Sequence, residues 1–132
     1  DNLKILPIIC YEIVFDKIFN NINKKEIDIL INITNDSWFG TRSGPYQHFY
    51  ISRLKALVAN KPLLRVSNNG ISAIIDNNGK IIKSSKLNKI TQLKHKLKIN
   101  NNKIYFSTHK IFTFYLFLIF IFLIIYSNRK EI

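Results

Sequence analysis

Methionine is absent from the chain and cysteine occurs only once, at Cys10. With no methionine and Asp1 standing almost directly before an apolar run, the sequence reads as the C-terminal piece of a longer polypeptide, so the lack of a leader says nothing about secretion. A single cysteine excludes an internal disulfide and a cysteine-rich zinc site. His48, His95 and His109 lack the spacing of metal ligands, and neither a metal nor a cofactor is expected. Acidic residues are scarce too: 8 Asp and Glu face 20 Lys and Arg, for a formal charge of +12. Such an excess suits nucleic acid or an anionic membrane surface. The lysines are scattered, however, apart from a mild cluster at Lys94, Lys96 and Lys98, and the wealth of Asn and Ile fits an AT-rich genome. No nucleic-acid motif accompanies them, so no nucleic-acid partner is expected.

At 132 residues the chain has room for one modest domain. Its end carries the clearest signal. Residues 111–127 contain no charged side chain and are nearly all Ile, Leu, Phe or Tyr. About seventeen residues rising ~1.5 Å each make roughly 25 Å, enough for one transmembrane helix with little tilt. Lys110 bounds it on one side, Arg129 and Lys130 in the tail 128–132 on the other, and Tyr126 suits an interface. A soluble core helix this short rarely needs to be apolar all round.

Upstream the periodicity changes. Residues 3–9 suit a buried strand, and 11–20 a helix with Ile13, Val14, Phe15 and Ile18 inward. Residues 27–33 form an apolar run without alternation, as in a strand covered on both faces. A loop of turn formers spans 34–45. Tyr46, Phe49, Tyr50, Leu54, Leu57 and Val58 then mark the apolar face of a helix over 46–60, ending before Pro62. Residues 63–66 and 71–75 read as strands, and Asp76-Asn77-Asn78-Gly79 turns into 80–83 to make a hairpin. Residues 86–110 are a polar, basic tether. The element order defines a mixed α/β domain over 1–85.

Cys10 stands where the first strand hands over to a helix. An isolated cysteine is most often an inert small hydrophobe. At a strand-to-helix junction, however, the positive end of the helix dipole and its free N–H groups favour a thiolate and can bind a developing oxyanion. Acyl transfer through a thioester needs that pairing.

The segment Pro7-Ile8-Ile9-Cys10-Tyr11-Glu12 resembles the nucleophile motif of the nitrilase superfamily, and its Cys-Tyr-Glu form is similar to the apolipoprotein N-acyltransferase branch. Three further stretches agree in order. They are Asn32-Ile-Thr-Asn-Asp-Ser-Trp-Phe-Gly40; Gly44-Pro-Tyr-Gln-His48 with Arg53 and Ala56; and Pro62, Arg65, Asn68, Asn69, Gly70, Ile71 and Ser72. The resemblance covers about residues 4–83. It implies the C-terminal part of an αββα sandwich followed by one C-terminal transmembrane helix, on the periplasmic side of a bacterial inner membrane. It also implies a Glu–Lys–Cys triad. Cys10 would take an acyl chain from a phosphatidylethanolamine-like phospholipid as a thioester. The chain would pass to the N-terminal amine of a diacylglyceryl-cysteine apolipoprotein. The family's Glu and Lys precede the nucleophile strand, so the isolated chain is expected to be inactive and the full-length protein a monomer.

Glu12 and Tyr11 are expected to support the nucleophile, against simple capping and packing. Trp38 and Phe39 are candidates for lipid contact, equally consistent with core packing. Asn35 and Asp36 are expected to order their loop through backbone bonds, His48 to be structural without an evident partner, Arg53 to form a buried pair, and Gly70 to supply a turn geometry. Two other readings compete: a membrane-anchored nitrilase-type amidase, and a non-catalytic basic module on anionic lipid. The count of Lys and Arg alone would place the domain in the cytoplasm. Long domains cross largely regardless of charge, and the resemblance favours the periplasm.

Overall fold

The structure, a computed structural model, describes residues 2–20, 26–97 and 115–122. The chain divides into two compact units, Asp1–Asn102 and Lys103–Ile132. In the first, five strands form one sheet in sequence order: β1 (Ile5–Ile9), β2 (Ile29–Asn35), β3 (Leu63–Asn68), β4 (Ala73–Ile75) and β5 (Ile81–Ser84). β1, β2 and β3 are parallel, with Ile8 opposite Asn32 and Asn32 opposite Arg65. β4 and β5 continue antiparallel. The predicted hairpin is present. Asp76 Oδ1 accepts from the amides of Asn78 and Lys80, and Gly79 takes φ +73°, which its lack of a Cβ permits.

A helical layer covers one sheet face. A 3-10 turn (Cys10–Val14) leads to α1 (Asp16–Asn20), and a second 3-10 turn (Ser37–Phe39) precedes α2 (Ser43–Ala59). The expected single helix over 11–20 is therefore broken. Phe15 takes an extended backbone between the two pieces, which resets the helical phase. Phe15 faces solvent as a result, and Phe19 enters the core with Ile8, Ile13, Leu30, Phe49 and Ala56. α2 begins three residues ahead of the expected start, with Pro45 in its first turn, where the missing N–H costs nothing. It ends at Asn60, whose left-handed conformation lets its amide cap the carbonyls of Ala56 and Leu57.

The inward face of α2 matches the expected one at Phe49 and departs from it elsewhere. Tyr46, Tyr50, Leu54 and Val58 are exposed, Leu54 at 57%. His48, Phe49, Ser52, Lys55, Ala56 and Ala59 point inward. Small residues let the helix lie close to the sheet, and polar ones reach groups that the sheet presents. Lys55 is held by Asp16 and lies 4.9 Å over the Phe19 ring.

β2 also departs from the expectation of cover on both faces. Ile29 and Leu30 are buried, but farther along Asn32 and Thr34 turn inward while Ile33 is exposed. Ile9, Ile33 and Val66 lie side by side across three strands and leave the far sheet face apolar and open.

Residues 86–97 of the expected tether form no helix or strand. Leu87 packs on the core, and Lys83 Nζ donates to the Lys94 carbonyl at 2.7 Å. Of the expected membrane span, residues 115–122 are helical with exposed side chains, and the rest of 111–127 lies outside the described residues. Among the described residues no helix is long and apolar enough to cross a membrane.

Candidate active site

Cys10 is the first residue after β1 and adopts φ +49°, a left-handed conformation unusual for a side chain with a Cβ. Strain of this kind persists only where surrounding bonds enforce it. Here Asn32 supplies them. Its Nδ2 donates to the Ile8 carbonyl at 3.0 Å and to the Cys10 carbonyl at 3.3 Å, tying the turn to the neighbouring strand. Glu12 Oε2 accepts from the Ile9 amide at 2.7 Å and closes the turn from the solvent side.

The sulfur is half-buried. Thr34 Oγ1 donates to Cys10 Sγ at 3.5 Å, and the Asn35 carbonyl lies 4.0 Å from Sγ. The Thr34 hydroxyl, followed by backbone contacts with Asn35 and Tyr11, lowers the thiol below its ordinary value against the opposing effects of burial and the Asp36 charge.

Beneath the thiol lies a buried polar cluster. Asp36 Oδ1 accepts from His48 Nδ1 at 2.8 Å; Oδ2 accepts from Arg65 Nη2 at 2.8 Å and from Ser67 Oγ at 2.6 Å. Arg65 Nη1 also donates to Asn32 Oδ1 and, at 2.7 Å, to Ser52 Oγ. One guanidinium thus joins β2, β3 and α2, which its planar fork of donors suits. Burial pushes Asp36 upward, but the bonds from His48 and Ser67 and the Arg65 charge prevail and hold it at about 2. Burial lowers the Arg65 guanidinium, and the Asp36 carboxylate opposes that.

Several sequence expectations change here. Asn35 orders its loop as expected, accepting from Ser37 N at 3.1 Å and Ser37 Oγ at 2.6 Å. Asp36 instead turns inward as the hub of the cluster, and His48 has it as a partner. The buried arginine pair belongs to Arg65, because β3 carries its side chain onto the covered face; Arg53 is half-buried and donates to the Gly79 carbonyl. Gly70 is needed for space rather than for turn geometry: a Cβ there would overlap Asp36 Oδ2 and Ser67 Oγ. Tyr11 stacks 5.5 Å from His48 and 6.1 Å from Phe39. Phe39 packs 5.3 Å from His48, whereas Trp38 is 83% exposed. Sequence reasoning missed Thr34, Asn32, Ser52 and Ser67. For Asn32 and Thr34 the signal was the polar residues at every second position of β2, which place hydrogen-bonding groups on the covered face.

A cysteine in a left-handed conformation at the tip of a parallel strand, its thiol lowered below the ordinary value, sits at the edge of a mixed α/β sheet. The chain belongs to the carbon-nitrogen hydrolase family, whose pattern it matches over residues 2–99. It is 46% identical, over 99% of its length, to the apolipoprotein N-acyltransferase of Rickettsia bellii (strain RML369-C), of which it spans 26%. Over 70% of its length it is 52% identical to the protein of the same name in Rickettsia prowazekii (strain Madrid E), covering 18% of that protein. The chain therefore spans about a quarter or less of these relatives. Its fold is similar to that of a carbon-nitrogen hydrolase from Helicobacter pylori G27. That match has a TM-score of 0.53 at 15% identity, over 62% of this chain and 36% of that one.

Proposed function

We propose that this chain is the nucleophile-bearing part of an apolipoprotein N-acyltransferase. The observation that carries the reading is Cys10: a half-buried, activated thiol at the strand tip, in a chain 46% identical to a protein of that name. The Cys10 sulfur attacks the ester carbonyl of a phosphatidylethanolamine-like phospholipid, the lysophospholipid leaves with its oxygen protonated, and an acyl thioester remains. The amine of a diacylglyceryl-cysteine apolipoprotein then attacks the thioester, forming an amide and returning the thiol. Tyr11 and Glu12 support the nucleophile, Tyr11 by its stacking on His48 and Glu12 by its bond to the Ile9 amide. Trp38, which is exposed, and Phe39, which packs on Tyr11 and His48, contact the lipid chain.

The general base and lysine of such a triad lie in a longer protein, ahead of the nucleophile strand. The domain 1–85 forms half of an αββα sandwich, whose open face at Ile9, Ile33 and Val66 meets a second sheet supplied by that upstream part. Residues 86–110 lead to a membrane-spanning helix at 111–127 in the bacterial inner membrane, with the domain periplasmic and the full-length protein monomeric.

A chimera tests this reading: the chain replaces the matching quarter of the Rickettsia bellii protein. The chimera transfers labelled acyl chains from phospholipid to a diacylglyceryl-cysteine peptide, and the isolated chain does not. Transfer by the isolated chain, lost on Cys10→Ala, would contradict the need for the upstream groups.

A further inference from the structure

We propose that Thr34 is the hydrogen-bond donor that holds the sulfur of Cys10 as a thiolate, and that Asp36, locked by His48, Arg65 and Ser67, is the positioning residue that leaves the Thr34 proton free for it. The inference rests on Cys10 being the nucleophile of the proposed function. Thr34 has one hydroxyl proton and two acceptors within reach, Cys10 Sγ at 3.5 Å and Asp36 Oδ1 at 3.4 Å. A bare carboxylate would take that proton, being much the stronger acceptor. Asp36 is not bare. Its Oδ1 already accepts from His48 at 2.8 Å, and its Oδ2 from Arg65 at 2.8 Å and Ser67 at 2.6 Å. These three shorter bonds draw on the carboxylate's charge, and the remaining contact to Thr34, at 3.4 Å, is long for an O–H···O bond, whereas 3.5 Å is ordinary for a bond to sulfur.

The charged and titratable groups around Cys10 come from every packed element: Glu12 on its own turn, Asp36 after β2, Arg65 on β3 and His48 on α2. Asp36 opposes the thiolate by its charge, while Arg65 is drawn upward by the Cys10 charge and so favours it in return. Among these influences the Thr34 hydroxyl is the largest on the sulfur, and it acts at hydrogen-bond distance. In the acyl-transfer cycle the proton stays on Thr34 Oγ1. It solvates the attacking thiolate in the first step and the departing thiolate in the second, so no bond at Thr34 forms or breaks.

Because Cys10 is the sole cysteine, its alkylation by iodoacetamide can be followed in the full chain without interference. Thr34→Val is expected to raise the midpoint of the rate–pH profile by about one unit, slowing alkylation about tenfold at neutral pH. Thr34→Ser is expected to restore the wild-type profile. His48→Leu, which frees Asp36 Oδ1 and also removes the ring beside Tyr11, should raise the midpoint as well; His48→Asn, which removes the same ring but keeps a donor near the Nδ1 position, should not. Circular dichroism identifies folded variants. If Thr34→Val does not fold, the two His48 variants decide the matter. A folded Thr34→Val or His48→Leu chain with the wild-type profile overturns the inference. Alkylation needs no acyl donor, so failure here leaves the thioester reading standing, and failure of thioester formation leaves this profile intact.

Discussion

Asp36 shows how one carboxylate sets the character of the site. It is fully buried, and donors from α2 and β3 reach both of its oxygens. Its folded value, about 2, lies below the ordinary 3.8, so the ionised form is the one the fold prefers. The resulting stability is present above pH 3.8 and is lost as pH falls towards about 2. Asp36→Asn removes this linkage. The gap in unfolding free energy between wild type and Asp36→Asn, from urea melts, should shrink by roughly 2 kcal/mol between about pH 5 and pH 2. A gap constant with pH would mean that the charge of Asp36 does not hold the cluster. The sequence made Cys10 conspicuous because its position alone carries chemistry, and Asn35 because its bonds are local. Asp36, Thr34 and Arg65 were harder to read, since apart from the Thr34–Asp36 contact their partners lie 12 to 33 residues away and only the fold brings them together. Arg65 and Arg53 are chemically alike; which one is buried depends on the face that β3 and α2 turn inward.

At the scale of elements, α2 turns Phe49, Ala56 and Ala59 into the core together with the polar His48, Ser52 and Lys55, while Tyr46, Tyr50, Leu54 and Val58 stay exposed. The polar part of that face meets Arg65 and Asp36, which Ser52 and His48 pair; an apolar stripe there would leave those groups without these partners. The strands and the hairpin were legible because apolar runs and the Asp76–Gly79 turn are local signals. The facing of α2 depended on polar groups that only the folded sheet assembles. A pair of substitutions separates the two orientations by chemical denaturation. Leu54→Gln, on the exposed stripe, should change stability by no more than about 0.5 kcal/mol. Ala56→Leu, at a fully buried site, should cost roughly 1–3 kcal/mol through overpacking. The reverse ranking would place the stripe against the core.

At the scale of the whole molecule, the described sheet has one face clothed by helices and one bare, apolar face, while the chain spans 26% of its Rickettsia bellii relative. The α/β layer order was readable from the sequence, but the bare face was not, because the apolar run of 27–33 looks the same whether or not a second layer covers its far end. The proposed role of Cys10 as an acyl-carrying nucleophile is tested most directly by mass spectrometry of the chimera. The chimera is incubated with phospholipid alone, without the lipoprotein acceptor, and the peptide containing Cys10 is examined. An acyl adduct on Cys10 that hydroxylamine removes, absent in Cys10→Ser, is the predicted result. A chimera that transfers acyl chains with no adduct on Cys10 would contradict the covalent mechanism.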